Sequence, residues 1–192
     1  MSGPAHAVHY TWREYLALES ASNVKHEYLD GQIYAMAGGT PEHAALQLAV
    51  PNLLFSQLRS GRCRAHGSDL HVRVLATGLA TYPDVTIICG PPPNRSRGPD
   101  LGHQPHAPRR SAEREHGGLR RGEKLAHYQR VPSLRPHVLG SSDLHLVEVW
   151  TRDADDGWSC AVSTDGGVAD LGSIGARLDV RELYEAAAEG AA

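Results

Sequence analysis

The chain has 192 residues, 41% of them apolar, and a formal charge of −3. That length sustains a real hydrophobic core and is most simply one domain over residues 1–192. No apolar stretch is long enough to span a bilayer, the N-terminus lacks the basic-then-apolar order of a signal peptide, and the net charge gives no general attraction to phosphates. Cys63, Cys89 and Cys160 are scattered and not in CxxC spacing, which points to buried thiols in a reducing cytoplasm rather than to disulfides or zinc.

In chain order, Thr11-Trp12-Arg13-Glu14 reads as a capping box that starts a short helix reaching about Ser20. His26 to Met36 is the clearest hairpin, because Asp30-Gly31 supplies two positions that tolerate positive φ. Gly38-Gly39 breaks the second strand. Thr40 then caps a longer helix with Pro41 at its first position, where a missing N–H costs nothing. Leu46, Val50, Leu53, Leu54 and Leu58 give that helix an apolar face, Pro51 is expected to kink or interrupt it, and Gly61 to end it.

Arg64 to Leu75 alternates as one strand, with Leu70, Val72 and Val74 on one side and Asp69, His71 and Arg73 on the other. The next run, Tyr82-Pro83-Asp84-Val85-Thr86-Ile87-Ile88-Cys89, sets a carboxylate at the head of a β-branched strand. Pairing of these two strands would put His71 opposite Asp84 and Asp69 opposite Thr86, gathering Asp69, His71 and Asp84 on one face. One carboxylate does little chemistry; a metal site calls for another acid nearby, for which the following strand is the natural place.

Residues 94–121 do not read as that strand. They carry seven arginines against three acids, and Leu101 and Leu119 are their only large aliphatics. Removing them leaves the rest of the chain at −7. Twenty of the 27 residues from Asn94 to Arg120 are Arg, Pro, Gly, Ala, Ser or His, the set that out-of-frame reading of GC-rich DNA yields. The segment therefore reads as disordered or frameshifted, or alternatively as a basic arm for DNA phosphates. Beyond it, Glu123 to Arg130 looks helical, Leu144 to Trp150 and Trp158 to Ser163 look like strands about a turn at Asp156-Gly157, and Asp179 to Glu182 forms a second capping box before a terminal helix. The order of elements is that of an α+β, or mixed α/β, domain.

Several of these stretches resemble the Uma2 family: Tyr-Thr-Trp-Arg-Glu-Tyr-Leu (10–16), His-Glu-Tyr-Leu-Asp-Gly-Gln-Ile-Tyr-Ala-Met-Ala-Gly-Gly-Thr (26–40) with His43, Gly-Ser-Asp-Leu-His-Val-Arg-Val (67–74), Thr-Tyr-Pro-Asp-Val (81–85) and Arg-Gly-Glu-Lys-Leu-Ala-His-Tyr (121–128). The resemblance implies a restriction-endonuclease-like, PD-(D/E)xK fold: a central mixed sheet flanked by helices, with a metal site at the sheet's end. It implies Asp84 as a metal ligand and a second carboxylate on the next strand. That strand, typically an apolar run ending Glu-Val-Leu-Ser, is absent between Asn94 and Arg120, and Glu113 and Glu115 lack the apolar neighbours of a buried strand.

Each candidate has a plain reading beside the functional one. Asp84 is a metal ligand or simply an acid at a strand start. Glu27 is, by the resemblance, a metal-site carboxylate or else a surface partner of Lys25. His43 binds phosphate or orients water, or only hydrogen-bonds a neighbour. Asp69 assists Asp84 at the metal or caps a loop. Lys124 is the catalytic lysine moved onto a helix, or a solvated one. The twelve histidines show no helical HxxxH pair that would make a zinc site. The expectation is a cytoplasmic, Uma2-like, Mg²⁺-dependent endonuclease acting on nucleic acid, DNA first, with no membrane association and a homodimer suited to cutting two strands. Cleavage is expected to be impaired by the missing strand; the alternative is a non-catalytic DNA-binding or interaction protein.

Overall fold

The structure is a computed structural model and describes residues 8–59, 61–90, 100–101, 121–132, 134 and 136–189. The reading of 94–121 as a disordered, frameshifted or basic-arm segment thus falls almost wholly outside the described residues. The fold is mixed α+β, as expected. No helix among the described residues is long and apolar enough to cross a membrane.

Helix α1 (Trp12–Ala21) starts with the full capping box: Glu14 N–H donates to Thr11 Oγ1 at 3.3 Å, and Thr11 N–H to Glu14 Oε2 at 2.7 Å. Strands β1 (His26–Leu29) and β2 (Gln32–Ala35) form the hairpin, with Tyr28 opposite Ile33. Asp30 and Gly31 both have positive φ, 49° and 76°, the two-residue turn whose twist suits a hairpin. Helix α2 (Pro41–Leu58) is capped by Thr40 and runs through Pro51 without interruption. Its buried face, Leu46, Ala49, Leu54 and Leu58, packs into the main core, and burying each leucine stabilises by roughly 1.5–3 kcal/mol. That packing outweighs the one backbone hydrogen bond that a proline removes.

The expected single strand 64–75 is two strands on different sheets. Strand β3 (Cys63–His66) ends at a turn in which Leu70 N–H donates to the Gly67 carbonyl, and β4 (Val72–Val74) follows. Strand β5 (Leu79–Thr81) pairs with β4, Val72 opposite Thr81, while β6 (Thr86–Cys89) pairs with β3, His66 opposite Thr86. The register that was to gather Asp69, His71 and Asp84 therefore does not form. The cause is local: Gly67-Ser68-Asp69 is turn chemistry, and it breaks the alternation that continues on either side of it.

Strand β7 (Asp100–Leu101) lies parallel to β4, so the strand order β2-β1-β5-β4-β7 is a mixed sheet. After helix α3 (Arg121–Tyr128) come β8 (Pro136–Gly140), β9 (Leu146–Arg152) and β10 (Trp158–Thr164) as an antiparallel sheet, then the hairpin β11 (Val168–Leu171) and β12 (Ala176–Asp179), and helix α4 (Val180–Glu189). Asp179 Oδ1 accepts the Glu182 N–H at 3.0 Å, as a cap should. The main core joins α2, β9, β11, β12 and α4; a smaller one, Leu29, Val74, Leu79 and Val131 with Tyr128 against it, lies beneath the mixed sheet.

The cysteines depart from expectation. Cys63 and Cys89 stand opposite each other in the β3–β6 ladder and are disulfide-bonded, and Cys160 is exposed. A tertiary register that sequence spacing does not reveal brings the two together, which removes the ground for reading them as buried thiols of a reducing compartment. The bond closes a loop of sequence separation 26 that contains Thr81 and Asp84. Such a loop contributes roughly 3–4 kcal/mol through the unfolded chain. Reduction with dithiothreitol, or the double change Cys63→Ser/Cys89→Ser, is expected to lower the melting temperature by on the order of 10 °C, while Cys160→Ser leaves it unchanged; equal melting temperatures with and without reductant would contradict the bond.

Candidate active site

The site has two halves, each built around one carboxylate. Asp84 stands just ahead of β6 with its side chain about half exposed, at 53%. Helix α2 delivers the residues that meet it. Thr40 Oγ1 accepts the His43 N–H at 3.3 Å, which fixes the first turn, and Gln47 follows one turn later on the same face. The Gln47 Nε2 donates to Asp84 Oδ1 and lies 3.0 Å from His43 Nε2; His43 Nε2 is itself 3.4 Å from Asp84 Oδ1. An ionised carboxylate only accepts, so the amide must turn its NH₂ toward Asp84. The imidazole leans on Gly39, where a Cβ would stand 2.4 Å from His43 Cδ2. A side chain at that position would push His43 out of place.

The other half is buried. Glu27, on β1, is 2% exposed. The buried Thr81 hydroxyl, on β5, donates to Glu27 Oε1, and Lys124, from α3, brings Nζ to 2.7 Å from the same oxygen. A carboxylate removed from water needs such partners. Tyr128, one turn after Lys124, closes the group. Burial lifts its phenol well above the usual range; a side-chain hydrogen bond with Thr81 opposes this, and the charges of Glu27 and Asp84 add to it. Tyr128 thus feels both carboxylates.

The structure brings together Glu27 with Lys124, and His43 with Asp84. It takes Asp69 elsewhere: its carboxylate is almost fully exposed and held by Lys25 Nζ at 2.7 Å. The register that would have set Asp69 beside Asp84 is the one the Gly67 turn removes. Lys25 is thereby the partner of Asp69 and not of Glu27. His71 lies among Trp12, Tyr15 and Tyr82, with Nε2 at 2.9 Å from the Tyr15 hydroxyl. The sequence alone does not single out Gln47, Thr81 or Tyr128 as part of the site. The signal for Gln47 and Tyr128 was their i+4 spacing from His43 and Lys124. Unforeseen too is the Glu19 carboxylate, which takes His26 Nδ1 at 2.9 Å and the Tyr82 hydroxyl at 2.8 Å and so pins α1 to the sheet.

These donors fall short of a metal centre. Among the described residues no group of three or more His, Cys, Asp or Glu side chains could hold an ion. Glu27 is neutralised by Lys124, and Asp84 Oδ1 and His43 Nε2 both face the Gln47 amide.

The fold class comes first from solved structures. The crystal structure of a "putative nuclease belonging to DUF820" from Anabaena variabilis matches with a TM-score of 0.65 at 16% identity, over 91% of this chain and 97% of that one. The two share a fold. Residues 12–171 match the Uma2 family, described as "Putative restriction endonuclease", and the chain belongs to that family. Two uncharacterized proteins of Synechocystis sp. are similar along most of their length. One is 31% identical over 175 residues, 89% of each chain; the other is 23% identical over 148 residues, 77% of this chain and 84% of its own.

Breaking the buried pair from one side strands the other charge, at a cost of about 3 kcal/mol or more. Lys124→Met should therefore destabilise strongly in chemical denaturation, and Glu27→Gln/Lys124→Met should recover most of the loss. A single change as mild as an ordinary surface substitution would place Glu27 in water.

The phenols of Tyr15 and Tyr128 are both held above their usual value, first by burial. As pH rises past about 10 the unfolded chain releases these protons while the folded one keeps them. The stability they carry is whole below pH about 10 and lost above it. Melting temperature is expected to fall between pH 10 and 11 more steeply than in Tyr128→Phe; identical slopes would show that Tyr128 ionises freely.

Proposed function

We propose that this chain is a nucleic-acid phosphodiester hydrolase, with DNA as substrate and Mg²⁺ as its cofactor, and that its cleavage is weak. Membership of the Uma2 family supports a nuclease and, in general terms, metal dependence. The observation that carries the reading is Asp84: a half-exposed carboxylate at a strand head, with an imidazole 3.4 Å away. The chemistry that a bound Mg²⁺ supplies is charge neutralisation at the phosphate and a more acidic coordinated water.

The chain's own residues do the rest. Asp84 would hold the ion. His43 Nε2 can accept a proton from a water beside the phosphate or orient that water. Glu27 and Lys124 fix strand β1 and helix α3 against each other, so Lys124 acts as a positioning residue and not as the lysine that touches the reacting water. Weak cleavage follows from the shortage of acids among the described residues: Glu27 is paired with Lys124 in the interior and Asp84 is bound to an amide.

An assay of plasmid and single-stranded DNA with and without Mg²⁺, on this chain and on Asp84→Ala, tests the reading. The expected result is slow, Mg²⁺-dependent cutting that Asp84→Ala abolishes. Salt-sensitive DNA binding with no cutting would assign the chain to non-catalytic binding instead.

A further inference from the structure

We propose that β10 is the contact strand of a homodimer, and that two copies of the chain pair it antiparallel about a twofold axis at Ala161, joining their three-stranded sheets into one. β10 (Trp158–Thr164) is an edge strand: among the described residues it pairs with β9 alone. Hydrogen bonds at the ends of the ladder reveal which backbone groups are left over. Asp153 N–H donates to the Gly157 carbonyl at 3.0 Å, and on the other side of β9 Ser141 N–H donates to the Leu146 carbonyl at 3.0 Å. In an antiparallel ladder a residue turns both backbone groups to one side, and its two neighbours turn theirs to the other. The odd-numbered residues of β9 and β10 therefore face each other. Trp158, Cys160 and Val162 turn their N–H and C=O groups to the open edge, and such a row is a template for another strand.

Folds usually blunt an edge of this kind with charge, proline or a bulge. Here Trp-Ser-Cys-Ala-Val-Ser-Thr (158–164) has no charged residue, proline or glycine, and its register with β9 runs unbroken from Trp158 to Thr164. Val162 is 57% exposed and Cys160 is exposed, so the fold leaves the edge uncovered. A second copy is the occupant because the strand is its own complement. Turned about Ala161, it sets Ser159 opposite Ser163 on one face and Cys160 opposite Val162 on the other, hydroxyl with hydroxyl and apolar with apolar. The outward-turned Cys160 and Val162 then meet as hydrogen-bonded pairs, and Ala161 meets its copy in the closer, non-hydrogen-bonded position. A slip of one residue would set outward groups against inward ones and form no ladder. Neutrality matters as well: in a twofold contact any charge near the axis faces its like. None of these residues belongs to the site around Asp84, so the pairing stands or falls apart from the nuclease reading.

Sedimentation velocity of the full chain in non-reducing buffer, from about 1 to 100 μM, tests the pairing over the range that suits a small interface. The expected result is a reversible monomer–dimer equilibrium with no larger species, because a twofold contact closes on itself. Val162→Lys puts a charge on the edge without entering the core, and is expected to raise the dissociation constant by about tenfold or more at an unchanged monomer melting temperature. In Cys160→Ser/Ala161→Cys, mild oxidation should link two chains, since Cβ atoms of such a pair lie roughly 4.5–5.5 Å apart. Native Cys160 stands diagonally from its copy and should link more slowly. The cross-link decides the matter on a chain whose edge carries no added charge. A chain monomeric throughout would leave the edge to some other extended segment and overturn the proposal. Open-ended aggregation, a dimer that Val162→Lys leaves intact, or faster linkage through Cys160 than through residue 161 would overturn it too.

Discussion

The interior carboxylate of Glu27 is the constraint around which the mixed sheet and α3 are arranged. A charge 2% exposed cannot be left without partners. Its partners come from two other places in the chain, Thr81 on β5 and Lys124 on α3. Meeting that requirement draws α3 back over the hairpin, seats Tyr128 against the small core beneath β1, β4 and β5, and fixes the end of β5. Asp84 follows Thr81 by three residues, so the same interaction decides where the exposed carboxylate emerges.

The two carboxylates of the site consequently have different environments. Glu27 is dry and neutralised by an ammonium, which suits it to holding elements together. Asp84 is wet, and its one described oxygen contact is with an amide and an imidazole, groups that leave it able to change partners. In the proposed reading, this division separates the structural work of Glu27 from the chemistry of Asp84. The chain keeps the fold of its family, and among its described residues no group of three or more acid, histidine or cysteine side chains could hold an ion.

What was legible in the sequence is what short-range contacts decide. The Thr11–Glu14 box, the Asp30-Gly31 turn and the Thr40-Pro41 start need only neighbouring residues, and all three stand. The resemblance to the family rests on longer stretches, 10–16, 26–40, 67–74, 81–85 and 121–128. The failures need tertiary register. Alternation through 64–75 hid a turn at Gly67, and with it went the Asp69–His71–Asp84 face. The Cys63–Cys89 bond depends on β3 pairing with β6 rather than β4 with β6. Pro51 failed as a breaker because packing of α2 against the core outweighed one lost hydrogen bond. Of the site, Glu27, His43, Asp84 and Lys124 were named but not their pairing, since Glu27 and Lys124 meet only across most of the fold. Gln47 was passed over because a glutamine in a helix carries no chemical signature until its neighbour in space is known.

The most direct measurement is nuclear magnetic resonance of the Gln47 side-chain amide in the wild-type chain. The expected result is a pair of slowly exchanging amide protons with cross-relaxation to the His43 ring, released to ordinary solvent exchange in Asp84→Ala. A Gln47 amide that exchanges like an exposed glutamine in the wild type, with no contact to His43, would contradict the bridged site on which this reading of Asp84 stands.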